Sequence, residues 1–163
     1  MKKVMSLLGV ACLMALVAGA IDRAQARGPA VVHVNGGGTG LFIDPSITPT
    51  DMGLTTNFSV GAKINADGSA SGHFVCLVPG LLVINGHYTA GSYNATTGVA
   101  TLSGDAIILF ANGDDIDVDF TNTFRAGGPE VGVFTLSETS GYFPNYPTDV
   151  DTEVVVRGKI TIH

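Results

Sequence analysis

From Asp115 to Phe124 the polarity of the chain alternates residue by residue. Ile116, Val118 and Phe120 are interleaved with Asp115, Asp117, Asp119 and Thr121, and the same count carries Asn122 and Phe124 to the apolar side. Side chains on a strand alternate between two faces, whereas those on a helix return every 3.6 residues. This segment therefore suits a strand with one dry face and one wet face. Burying three unpaired carboxylates would cost far more than exposing three apolar side chains. The register follows: Ile116, Val118 and Phe120 point to a core, and the aspartates point to water.

The rest of the chain after residue 26 repeats this grammar. Strands are predicted over Ala30–Val34, Thr55–Asn65, Ser69–Val78, Leu81–Tyr93, Val99–Ala111, Asp115–Arg125, Val131–Glu138 and Glu153–Ile162. In the last of them Val154, Val156, Ile160 and Ile162 are expected to share a face. Short connectors with turn chemistry separate most strands: Asn65-Ala66-Asp67-Gly68, Pro79-Gly80, Asn94 to Gly98, Asn112-Gly113-Asp114 and Ala126 to Pro129. Asp, Asn and Gly tolerate the positive φ of tight hairpins, and short connections make neighbours antiparallel. Closing the sheet removes its exposed edges. The expected fold is all-β: an antiparallel meander of about seven or eight strands, closed as a barrel or barrel-like sandwich. Two segments break the rhythm and read as long loops, Asn35–Gly53 and Ser140–Thr152. In the first, Gly36-Gly37-Gly38-Thr39-Gly40 resembles a phosphate loop in composition only. It lacks the lysine such a loop uses, no helix follows it, and it reads as a flexible turn.

The N-terminus is an address. Lys2 and Lys3 precede an apolar run from Val4 to Ala20, and Ala24-Gln25-Ala26 supplies a small-x-small cleavage site. That is the layout of a signal peptide. The run sits at the lower limit for a membrane span, so a retained anchor is the weaker reading. Lipidation at Cys12 is weaker still, because apolar residues continue past it. The expectation is a signal at 1–26, removed, and one domain at 27–163, secreted or periplasmic, with no stable membrane span. Removal would leave five basic and thirteen acidic residues, a net charge of −8. That balance excludes nucleic acid, which needs clustered Lys and Arg, and disfavours anionic lipid. Cys76 would remain alone, so no internal disulfide could form, and its apolar setting suits a buried small side chain.

Candidate sites are few. Asp114, Asp115, Asp117 and Asp119 form the densest group of hard oxygen donors, and calcium is the cation they would suit. Three of them fall along one strand face, however, without the looping that wraps an ion, and a solvated face is the plainer reading. Asp149, Asp151 and Glu153 form a similar row. If the two rows lay on adjacent strands, an ion or Arg125, Arg157 and Lys159 would have to intervene. His33, His73 and His87 show no zinc-ligand spacing, although His73 and His87 lie in neighbouring strands and could face each other. No nucleophile motif such as G-x-S-x-G is present. Tyr142, Phe143 and Tyr146 sit beside prolines in the last long loop. They suit either a rigid contact surface or a plug for one end of the barrel.

The leading expectation is a secreted or periplasmic β module that binds or builds rather than catalyses. The alternative is a small barrel enzyme or a binder of a small apolar ligand, with an interior pocket lined by Phe58, Phe74, Tyr88, Phe110 and Phe120. A protein partner suits the first reading. A third reading, a small outer-membrane barrel, also alternates in polarity. It is disfavoured by the absence of tryptophan, the lack of an aromatic girdle and a chain that ends on His163.

Overall fold

The computed structural model describes residues 31–43, 53–140 and 151–163. Within them the chain forms eight strands: β1 (Val32–Phe42), β2 (Thr55–Ile64), β3 (Ala70–Val78), β4 (Leu82–Asn94), β5 (Val99–Phe110), β6 (Asp115–Arg125), β7 (Val133–Glu138) and β8 (Asp151–Ile162). Each pairs antiparallel with the next, and β8 pairs with β1, so the sheet closes into a barrel in sequence order. The predicted signal segment and the Tyr142, Phe143 and Tyr146 loop lie outside the described residues.

The alternation on β6 resolves as the physics requires. Val118, Phe120, Asn122 and Phe124 are buried inside the barrel, and Asp115, Asp117 and Asp119 are exposed. The interior is filled by rings. Phe74 stands against Phe120, Phe124 and Phe134 at centroid distances of 6.3, 6.2 and 6.0 Å. Phe58 touches Phe134 at 4.6 Å, and Tyr88 touches Phe120 at 5.5 Å. These spacings fall in the range of favourable aromatic contact. Cys76 is buried in the same core.

Two expectations are corrected. The glycine run is not a turn but the middle of β1, where Gly36, Gly38 and Gly40 oppose Val60, Phe58 and Thr56 of β2. Strand pairing on both sides supplies the order that glycine's own flexibility withholds, and the missing side chains leave room for the large residues opposite. The second correction concerns β8. Its register against β1 shifts between Thr39 and Gly40, so that Thr39 faces Arg157 but Gly40 faces Val155. A β-bulge of this kind adds one residue and inverts the facing beyond it. Val155 is therefore fully buried, while Val154 and Val156 are only half-buried. Gly158 has φ +88°, and a Cβ there would lie 2.8 Å from Gly38 Cα, so glycine is required at this point of the seam.

Candidate functional site

The β1–β2, β3–β4, β5–β6 and β7–β8 connections all leave from one end of the barrel. Just beneath it lies a buried carboxylate. Glu153, the third residue of β8, points inward and is 1% exposed. The Thr56 hydroxyl of β2 donates to its Oε2. β1 runs between β2 and β8, and the contact passes over Gly40: a Cβ there would lie 2.9 Å from Thr56 Oγ1 and 3.2 Å from Phe134. The absence of one side chain thus lets a carboxylate and a hydroxyl clasp the seam where first and last strands meet. The sequence reading had set Glu153 in a solvated acidic row with Asp149 and Asp151. The structure turns it inward, because the bulge in β8 sets its facing.

A second polar set crosses the interior. Tyr88 Oη donates to Asn122 Oδ1 at 2.7 Å, and Asn122 Nδ2 donates to the Thr135 carbonyl at 2.9 Å. Burial pushes the Tyr88 phenol far above its ordinary range, so it stays protonated and remains a donor. Among the described residues, no buried side-chain nitrogen or oxygen lacks a partner. Both sets are consequently satisfied by the protein itself, as buried polar groups must be.

The aspartates meet no convergent geometry. Asp114 sits in the β5–β6 turn, where its backbone N–H donates to Asn112 Oδ1 and its carboxylate accepts from Asn112 Nδ2. A shallow open depression here is lined by Phe110, Asn112, Gly113, Asp114, Asp115 and Ile116. Asp115, Asp117 and Asp119 are spread along the outside of β6. Among the described residues, no three His, Cys, Asp or Glu side chains come together as a metal would need. β7 lies between β6 and β8, so Asp151 and Glu153 are not on a strand next to the β6 aspartates, and Asp149 lies outside the described residues. His73 and His87 do lie directly opposite on β3 and β4, facing outward. His73 Cε1, however, lies 3.4 Å from where a Gly61 Cβ would stand, over β2 and so on the side away from His87.

The outer face of β3–β6 is ordered in rows that no single strand reveals. Leu77, Val83, Leu109 and Asp115 are consecutive partners across the four strands. Next come Val75, Asn85, Ile107 and Asp117, then His73, His87, Asp105 and Asp119. Leu77, Leu81, Ile107 and Leu109 are 38%, 48%, 43% and 43% exposed. An apolar patch thus abuts a flank of carboxylates. Alternation within each strand hinted at apolar residues on both faces of β3 and β5, but only the register brings them together. Compared with known proteins, the chain matches no family model, no curated protein and no solved structure.

Proposed function

We propose that this protein is a secreted or periplasmic binding module that performs no catalysis and meets its partner with its outer surface. The observation that carries the reading is the ring cluster. Phe58, Phe74, Tyr88, Phe120, Phe124 and Phe134 touch one another through the middle of the barrel. Four of the five residues expected to line a pocket thereby pack on their neighbours, while Phe110 is half-buried. An eight-stranded barrel has room inside for side chains or for one small ligand, and these ring contacts support the first. The facing of the strands supports a barrel surrounded by water. Asp117, Asp119, Asn57, Ser59 and Lys159 are on the outside and phenylalanines within, the reverse of a barrel in lipid.

A second reading, the small enzyme or apolar-ligand barrel, is favoured by the buried Glu153–Thr56 pair beneath the loop-bearing end. Titration of the exported protein with a fluorescent long-chain fatty acid separates the two. The packed-interior reading expects no saturable one-to-one uptake. Uptake that survives Leu77→Ser/Leu109→Ser, and so does not use the outer patch, would replace it with the ligand-binding barrel.

A further inference from the structure

We infer that the outer face of β3–β6 is a docking surface for a protein partner that presents basic side chains beside apolar ones. The inference deepens the surface-binding reading above and rests on it. Its first support is the grouping of exposed apolar residues. Leu77, Leu81, Ile107 and Leu109, each between 38% and 48% exposed, stand on β3, the β3–β4 turn and β5, with half-buried Val83 of β4 between Leu77 and Leu109. Scattered single apolar residues are ordinary on a protein surface, whereas a contiguous group rimmed by polar residues marks a contact site. Interfaces have this anatomy, an apolar centre with a polar rim.

The rim identifies the partner's charge. Leu109 and Ile107 have Asp115 and Asp117 as direct cross-strand neighbours, and Asp105 and Asp119 continue the flank. A partner that covered the leucines would also remove water from these carboxylates. It must repay that loss with cations of its own, and like charge would be rejected. Among the described residues, Lys63 is on β2 and Arg157 and Lys159 are on β8, off this face, and Arg125 ends the outer row of β6 at the opposite end of the strand from Asp115. A second copy fits less well. Its basic side would present Asn35, Gly37, Thr39, Asn57 and Ser59 around those cations, and its outward apolar side chains Leu41 and Val154 are only half-exposed. The contact would also join unlike faces, which leads to open chains of molecules rather than a closed dimer. An anionic lipid surface would be repelled by the same carboxylates.

The test is fluorescence anisotropy of a labelled peptide of about twelve alternating Leu and Lys residues, titrated with the exported protein. Alternating Ser–Lys and Leu–Glu peptides serve as controls. Saturable binding of the Leu–Lys peptide is expected, with affinity about tenfold or more weaker in Leu77→Ser/Leu109→Ser. Asp115→Asn/Asp117→Asn should weaken it comparably and flatten its salt dependence. All four positions are outside the core, so far-ultraviolet circular dichroism should be unchanged. Equal binding by the leucine variant, or equal binding of the Leu–Glu peptide, would overturn the inference. So would sedimentation showing that the protein associates with itself and that the leucine variant does not, which would hand the face to a second copy. Fatty-acid uptake that survives Leu77→Ser/Leu109→Ser bears on the interior alone, so the surface and the packed core can fail independently.

Discussion

Gly86 and Phe120 provide a direct test of the packing on which the functional reading depends. They lie one strand apart, and a Cβ on Gly86 would come within 2.8 Å of Phe120 Cε1 and 3.2 Å of Cε2. Carbon atoms pack at about 3.5–4.0 Å, so Gly86→Ala forces the ring to move. Retreat is blocked, because Phe120 is 2% exposed and held between Phe74 at 6.3 Å and Tyr88 at 5.5 Å. Overpacking of this kind costs about 1–3 kcal/mol. Reduced freedom of the unfolded chain returns about 0.4–1 kcal/mol, leaving a net loss of roughly 1–2 kcal/mol. Phe120→Ala alone should cost about 3–5 kcal/mol. In that background the new methyl enters the vacated space. Gly86→Ala then changes sign and gains about 1 kcal/mol from the entropy term and added burial. The cycle therefore predicts a coupling of roughly 2–3 kcal/mol, well outside the scatter of independent sites. Urea unfolding followed by circular dichroism measures all four proteins. If Gly86→Ala stabilises the parent protein, or if the two changes add within about 0.5 kcal/mol, the ring is not confined and the interior is looser than argued.

Asp117→Asn, on the outer row of β6, should stay within about ±0.5 kcal/mol in the same unfolding assay, and a loss near that of Phe120→Ala would reinstate an ion or a buried network at this row. Tyr88→Phe strands Asn122 Oδ1 and should cost about 1–3 kcal/mol. It should also alter the alkaline limb of stability. The folded phenol holds its proton above the ordinary value near 10, so stability from this group is complete below that pH. It is lost as pH rises further, by about 1.4 kcal/mol per unit, and the phenylalanine variant should lack that part of the slope. Chelator should move the melting temperature little, whereas a fall of more than ~10 °C would favour calcium at Asp114 to Asp119. Intact mass of the exported protein should begin at Arg27, and retention of Met1 to Ala26 would remove the argument for an extracytoplasmic address.

Most of the barrel was legible because alternation is a local signal. β2, β3, β5 and β6 begin and end within a residue of their predicted bounds, since each alternates and each is closed by a turn with Gly or Asn. β1 was legible only at its start. Past Val34 its inward positions are Gly36, Gly38 and Gly40, which carry no polarity to read, and its identity as a strand comes from β2 and β8 on either side. Glu153 was misread for a different reason. Counting by twos back from Ile160 crosses the register shift between Arg157 and Val155, and every facing beyond that point is reversed. A lone glycine, Gly158, within a valine-rich strand was the available cue. The apolar outer patch was hidden because Leu77, Val83 and Leu109 belong to different strands, and only pairing makes them neighbours.

The missing side chains of the interior and the exposed side chains of the surface have a common origin in register. Across one row Tyr88, Gly104 and Phe120 are partners, large beside small beside large. Across another, Phe74 is followed by two small residues, Gly86 and Ala106. Rings of this size fit in an eight-stranded barrel only where their neighbours give up volume, and the strand order decides which neighbours those are. The same pairings, three residues along each strand, bring Leu77, Val83 and Leu109 into line on the outside, with Asp115 completing the row. A shift of one residue in any of these pairings would turn rings from the interior to water and break up the apolar row outside. The interior packing therefore fixes the geometry of the face on which the proposed partner would dock. Core variants such as Phe74→Ala should then weaken peptide binding only as far as they disturb that register.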